Sequence, residues 1–253
     1  MWSGDYVFVL ENLVFKDFKI RYRNMSLGIF WSLLNPLIMM GVLTFVLKVI
    51  LKNPTPAYPV FLLCGLVPFN FFTLSWSTGT NCLIESAGLV KRVPVPRIVL
   101  PVASVLSNCV QLAIQLVILF VFALYFGFGI NRYWLLLPVV WFFEIVFVTG
   151  LVMACSALDV YVRDMRYVVE STNVILFWLV PIFYGFEAVP ARFRELYHYN
   201  PVAAIVLALR NILMHATPPP ASLMWKLVAS SLLALAGGYF IFRSLERRFY
   251  ERL

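Results

Sequence analysis

The sequence predicts an all-α, polytopic membrane protein with six transmembrane helices, an N-terminal amphipathic helix at the interface, and short helices at the extracytoplasmic exit. Three observations predict it. Of 253 residues, 62% are hydrophobic and only 13% are charged, against about 25% charged in an ordinary soluble domain. Mean hydropathy is +0.88, which leaves too little polar surface to cover a water-facing globule. The apolar residues also gather into six runs, each long enough for a hydrocarbon core that takes about 20 helical residues to cross. No stretch remains for a sizeable soluble domain, so the chain reads as a single unit, with residues 1–27 at the cytoplasmic interface and 28–253 forming the bundle.

The elements follow in order. Val7, Leu10, Val14, Phe18 and Tyr22 share one helical face, with Asp5, Asn12, Lys16, Lys19 and Arg23 opposite, while Glu11, Asp17 and Arg21 interrupt the pattern. This helix admits two readings, a plain membrane anchor or a docking surface for a cytoplasmic partner. The acidic residues within it, and the lack of an apolar core followed by a small-residue site, do not suit a cleaved signal peptide. The six spans are expected at Gly28–Leu51, Tyr58–Leu83, Ile98–Phe126, Tyr133–Leu158, Val168–Phe186 and Leu223–Phe242. Asn35 and Pro36 interrupt the first, where proline frees a carbonyl one turn earlier, for either a packing kink or one that opens a conduit. Pro181 and Gly185 predict a broken or re-entrant top to the fifth. The stretch from Glu187 to Ser222 is expected to fold into short helices that cap the exit.

Orientation follows from the cations. With both termini cytoplasmic, 13 of the 20 Lys and Arg residues fall on the inner side, as the positive-inside rule requires. The net charge of +8 therefore reads as topology and anionic-lipid contact, with no nucleic acid implied. Cys64, Cys82, Cys109 and Cys155 sit in apolar spans without a C-x-x-C spacing and read as inert thiols. His198 and His215 are accompanied by no carboxylate cluster, so no metal site is expected. The sequence contains no G-x-x-x-x-G-K-[ST] loop, so energy for transport must come from another chain or an ion gradient.

The run DFKIRYRNMSLGIFWSLLNPLIMM at 17–40 resembles the start of the permease subunits of type-2 ABC exporters that move lipid-linked polysaccharides such as O-antigen and wall teichoic acid. GLVPFNFF at 65–72, LVKRVPVPRIVLP at 89–101, DVYVRDMRYVV at 159–169, VP at 189–190 and NP at 200–201 agree with that pattern, in the same order. The resemblance implies a homodimer in the bacterial cytoplasmic (inner) membrane, bound to two copies of a separate ATP-binding subunit. ATP and Mg belong to that partner, and this chain is expected to be no enzyme and to hold no cofactor. The implied cargo is an undecaprenyl-linked glycan. The same machinery exporting a drug or another lipid is the alternative, while a membrane-bound transferase would need convergent acids or histidines that are scarce here.

Candidate sites follow. Leu89, Val90, Lys91 and Arg92 lie in a turn between two spans, stiffened by Pro94 and Pro96. That turn reads either as a basic topology loop or, on the resemblance, as a coupling helix against the ATPase. Arg163 and Asp164 in the second turn could touch the same partner or, with Arg166, pair locally. Arg21 and Arg23 could meet a lipid pyrophosphate by charge-assisted bonds, or serve as topology determinants. Trp31, Phe45, Phe177, Trp178, Phe183 and Tyr184 could form a track of rings for sugars, or face lipid. Glu144, in the middle of the fourth span, should face the interior, for a structural hydrogen bond or a proton relay.

Overall fold

The computed structural model describes residues 6–22, 30–52, 54–88, 96–247 and 249. The described residues are helical throughout their regular elements: α1 Tyr6–Tyr22, α2 Phe30–Leu43 continued by a π-helical segment Thr44–Ile50, α3 Tyr58–Glu85, α4 Val99–Tyr125, a 3-10 turn Arg132–Leu136 leading into α5 Leu137–Asp159, α6 Met165–Leu179, α7 Ala191–Tyr199, α8 Pro201–Leu213 and α9 Ala221–Glu246. Prolines mark several starts, as expected where a missing N–H costs nothing. At Asn200–Pro201 the asparagine side chain accepts hydrogen bonds from the Val202 and Ala203 amides, at 3.1 and 3.4 Å, and so caps α8.

Among the described residues five helical stretches are long and apolar enough to cross a bilayer: 30–50, 58–85, 99–125, 132–159 and 221–246. The expected fifth span differs. α6 has 15 residues, about 22 Å at 1.5 Å per residue, which is short of a core ~30 Å thick. Val180, which precedes Pro181, is already extended, with φ −72 and ψ 136, because a residue before proline is pushed out of the helical region. The chain then continues irregularly to Gly185, so the predicted broken top is present. The short helices expected between Glu187 and Ser222 are α7 and α8. α8 is a buried plug: Val202 to Val206 and Ala208 to Arg210 are all inside.

One core cluster gathers Leu13 of α1, Leu83 of α3, Val99 and Leu100 of α4, Ala157 and Val160 beside the α5–α6 turn, and Phe242 and Phe249. α1, the two expected cytoplasmic turns and the end of α9 therefore share one end of the bundle. There the Arg97 Nη1 donates to the Glu246 carbonyl at 2.7 Å, and the Tyr161 hydroxyl donates to the Leu245 carbonyl at 2.9 Å. These bonds satisfy carbonyls that a helix C-terminus leaves without partners.

The face that α1 turns inward overlaps the one its spacing suggests, at Leu10 and Val14, but is rotated from it. Val9, Leu10, Leu13 and Val14 pack on the bundle, whereas Val7 is exposed and so are Phe8, Phe15 and Ile20. The helix is apolar on two sides because one meets the bundle and the other does not, so a single stripe does not describe it. The largest helix contact is between α5 and α9, and glycine permits it. A Cβ on Gly150 would lie 2.3 Å from the Ala234 carbonyl carbon, and one on Gly238 would lie 2.0 Å from the Gly150 carbonyl oxygen.

Candidate functional site

The residues that could handle a polar cargo lie in the middle of the bundle. On α4, Ser104, Ser107, Asn108, Gln111 and Gln115 recur every three or four positions and form a single polar stripe along an otherwise apolar helix. Asn70, Thr73 and Ser77 do the same on α3. The two stripes meet. A cavity of about 630 Å³ is lined by Asn70, Thr73 and Ser77 from α3, Gln111 and Gln115 from α4, Asn35, Ile38, Met39 and Val42 from α2, and Phe177 from α6, together with Leu66, Phe69 and Leu74. None of the described lining residues carries a charge. Six of its thirteen side chains end in an amide or a hydroxyl, which suits a neutral molecule rich in hydroxyl groups.

Pro36 takes part in building this groove. Its missing N–H leaves the Ser32 carbonyl without its helical donor, and Gln115 Nε2 reaches that carbonyl at 3.4 Å. Gln115 Oε1 has no partner among the described residues although the side chain is 1% exposed. On the opposite wall, Asn173 of α6 donates from Nδ2 to the Ser77 hydroxyl at 3.1 Å.

Toward the α1 end a second cavity of about 460 Å³ continues along the same two helices, lined by Thr78, Cys82 and Glu85 of α3 with Ser86 just after it, Ser104 and Ser107 of α4, and Lys16, Asp17 and Ile20 of α1. Between the two cavities Asn108 Nδ2 donates to the Thr78 hydroxyl at 3.0 Å. This bond ties α3 to α4 at the level where one cavity gives way to the other.

The residues picked out in the sequence divide. Phe177 lines the groove, with its ring 5.6 Å from that of Phe69, 5.6 Å from Trp178 and 5.9 Å from Phe183. The rings of Phe183 and Tyr184 meet edge to face, 5.2 Å apart, in the irregular segment after α6, where the Tyr184 hydroxyl donates to the Leu179 carbonyl and meets the Tyr197 hydroxyl at 3.0 Å. Trp31, Phe45 and Trp178 lie on outer faces, 46%, 59% and 64% exposed. Four of the six rings thus form one group from α6 into its broken end, and Trp31 on α2 and Phe45 on its π-helical continuation stand apart from it.

Leu89, Val90, Lys91, Arg92 and Arg23 lie outside the described residues, and so does the Arg21 side chain. Arg163 and Asp164 are exposed, and neither forms an ion pair with a described residue. Arg166 bonds the Tyr167 hydroxyl at 3.0 Å instead. The local pairing considered for this turn is therefore not formed. Glu144 is fully buried as expected, yet both its carboxylate oxygens lack a partner among the described residues, so the expected structural hydrogen bond is not formed either. The four cysteines are free thiols, three of them buried. Among the described residues no group of three His, Cys, Asp or Glu could hold a metal.

The polar stripe on α4 was missed in the sequence reading, though its signal was present: five polar residues at helical spacing inside one apolar span.

Comparison with known proteins places these features in a wider set. Residues 10–214 match the protein family described as "ABC-2 type transporter". The chain is 28% identical to an O-antigen export system permease protein of Klebsiella pneumoniae, over 98% of this chain and 95% of the relative. It is 26% identical to the protein of the same name from Myxococcus xanthus, over 97% and 95%. To a polysialic acid transport protein of Escherichia coli it is 22% identical, over 94% and 93%.

Proposed function

The chain belongs to the ABC-2 type transporter family, and from that premise we propose that it is the membrane permease of an ATP-driven polysaccharide exporter. The observation that carries the reading is the uncharged groove of amides and hydroxyls between α2, α3, α4 and α6. A polymer of sugars needs partners for many hydroxyl groups and must also let go of each one. Neutral amides and hydroxyls give hydrogen bonds worth about 0.5–1.5 kcal/mol net, weaker than those to charged groups, so no single contact traps the chain. Phe177 and its neighbouring rings add a stacking face at the groove's edge. The names of the relatives, permeases for O-antigen export and a transporter of polysialic acid, agree with such a cargo.

The finer reading has several parts. The cargo is an undecaprenyl-linked glycan, its lipid pyrophosphate met by Arg21 and Arg23. The permease is a homodimer in the bacterial inner membrane, with both termini cytoplasmic. The second copy lies across α2 and α6, which flank the groove and expose Ile38, Met39 and Val42 on one side and Val174, Ile175 and Trp178 on the other. Two ATP-binding subunits seat against the 85–97 turn and the turn holding Arg163 and Asp164, which are exposed and form no ion pair with a described residue.

The test is replacement of Gln111 and Gln115 together by Leu in cells, with surface glycan measured and assembly with the ATPase followed by co-purification. Export should fall at least tenfold while the complex still forms. Parental export from a properly assembled variant would remove the groove from the path.

A further inference from the structure

At the end of the bundle away from α1, the buried helix α8 carries a cation in its last turn. Arg210 is 4% exposed. Its Nη2 donates to the Ile182 carbonyl at 2.7 Å and, at the long distance of 3.4 Å, to that of Phe61; Nη1 reaches the Tyr184 carbonyl at 3.4 Å. The guanidinium carbon stands 3.4 Å from the centroid of the Phe61 ring. Nε has no acceptor among the described residues, and no described carboxylate lies within ion-pair distance of the group. A full positive charge is thus held inside the protein by carbonyl dipoles and one ring face, where a buried charge normally requires an anion.

Beside it lies a cavity of about 410 Å³, lined by Arg210, Asn211, His215, Thr55, Gly185 and Glu187 among others. At roughly 30 Å³ per water, that is room for a dozen waters or a small oxyanion with part of the molecule carrying it. The rim is conformationally unusual: Ala57 and Ala216, next to the lining residues Pro56 and His215, have φ of 45 and 50. Non-glycine residues in that region store strain, which tends to collect at functional sites. Glu187 shares the cavity and is exposed, yet it does not close onto the guanidinium.

We infer that this cavity is an oxyanion site, in which Arg210 receives a phosphate or carboxylate group arriving at that end of the bundle. The inference goes beyond the export reading, since it needs neither the ATPase nor a sugar in the central groove. Arg210 supplies the charge and a fixed fork of donors. Thr55, Asn211 and His215 supply further polar partners around it, and Glu187 keeps weakly held anions from staying.

The test is thermal unfolding of the purified full chain in neutral detergent, titrated with sodium phosphate and with sodium glucuronate against sodium chloride at matched ionic strength. A ligand that binds only the folded chain raises Tm with the logarithm of its concentration. Both oxyanions should do so and chloride should not, Glu187→Gln should lower the apparent Kd several-fold, and Arg210→Gln should abolish the response. Because Arg210→Gln also loses the bond to Ile182 and could unfold the chain, Asn211→Asp serves as a second probe that leaves Arg210 in place. With a carboxylate built into the cavity it should melt higher without added anion and ignore phosphate. Micelles containing phosphatidylglycerol then separate the sources: saturation by that lipid, with no further response to phosphate, assigns a lipid headgroup, and a persisting response assigns a soluble or polymer-borne group. If phosphate and glucuronate act no differently from chloride on the parent chain, or if Glu187→Gln and Asn211→Asp respond as the parent does, the site does not exist.

Discussion

Alanine at Gly150 should loosen the bundle, and the same change at Gly237 should not. At Gly150 the added carbon would sit 2.3 Å from the Ala234 carbonyl carbon and 2.5 Å from the Leu235 nitrogen, whereas at Gly237 nothing lies within 4 Å. Both obstacles at Gly150 are backbone of α9, which no rotamer change can clear. To restore ordinary contact the two helices must separate by about 1 Å, and forcing extra carbon into a packed interface costs about 1–3 kcal/mol. Each alanine also stabilises its helix by about 0.5–1 kcal/mol over glycine. The net expectation is a loss of up to about 2.5 kcal/mol for Gly150→Ala and a gain of about 0.5–1 kcal/mol for Gly237→Ala. Tight packing is what holds membrane helices together, since lipid tails are as apolar as the side chains. The assay is thermal unfolding of each variant in the same detergent, followed by circular dichroism. Equal melting of the two variants would mean that the close approach of α5 and α9 does not hold the bundle together, and the reasoning from Cβ distances would fail.

Three further outcomes are expected. Tyr58→Phe, which removes the 2.6 Å bond from a buried hydroxyl to the Phe183 carbonyl, should cost about 1–3 kcal/mol by stranding that carbonyl, read as a lower melting temperature. Cysteines introduced near Thr55, Asn131 and Ala216 should react with an impermeant reagent in intact cells, while those near Ala87 and Arg248 are spared; the reverse labelling would invert the topology. Lys91→Glu with Arg92→Glu should weaken co-purification of the ATP-binding subunit and lower export, because like charges set against a complementary surface cost several kcal/mol; parental binding and export would reduce the 85–97 segment to a simple turn.

What was legible in the sequence follows from how strongly each physical rule acts. Hydropathy identified the long spans because a bilayer tolerates nothing else there. The broken end of α6 was legible because Pro181 acts locally on Val180. The inward face of α1 was legible only at Leu10 and Val14, since Phe8 and Phe15 are as apolar as the residues that pack, and only tertiary contact separates them. The burial of Arg210 was not legible either, because a lone cation beside an apolar run carries no mark of its depth, and it is the packing of α8 into the core that takes it inside. The aromatic residues drew attention by number, and four of the six fell into one group. The polar stripe of α4 mattered more to the groove and went unread, because its residues are individually unremarkable and only their spacing speaks.

The absence of charge among the residues lining the central groove bears on how membrane voltage enters the work of export. An inside-negative potential drives an outward-moving anion with about 2.3 kcal/mol per elementary charge for each 100 mV, and does nothing for a neutral sugar. With no ionisable side chain among its described lining residues, the groove sets no fixed ion of its own against that field. The electrical contribution is then set by the cargo alone: each phosphate or carboxylate on the exported polymer is pulled outward by the membrane itself, while an uncharged polymer of equal length leaves the whole task to ATP.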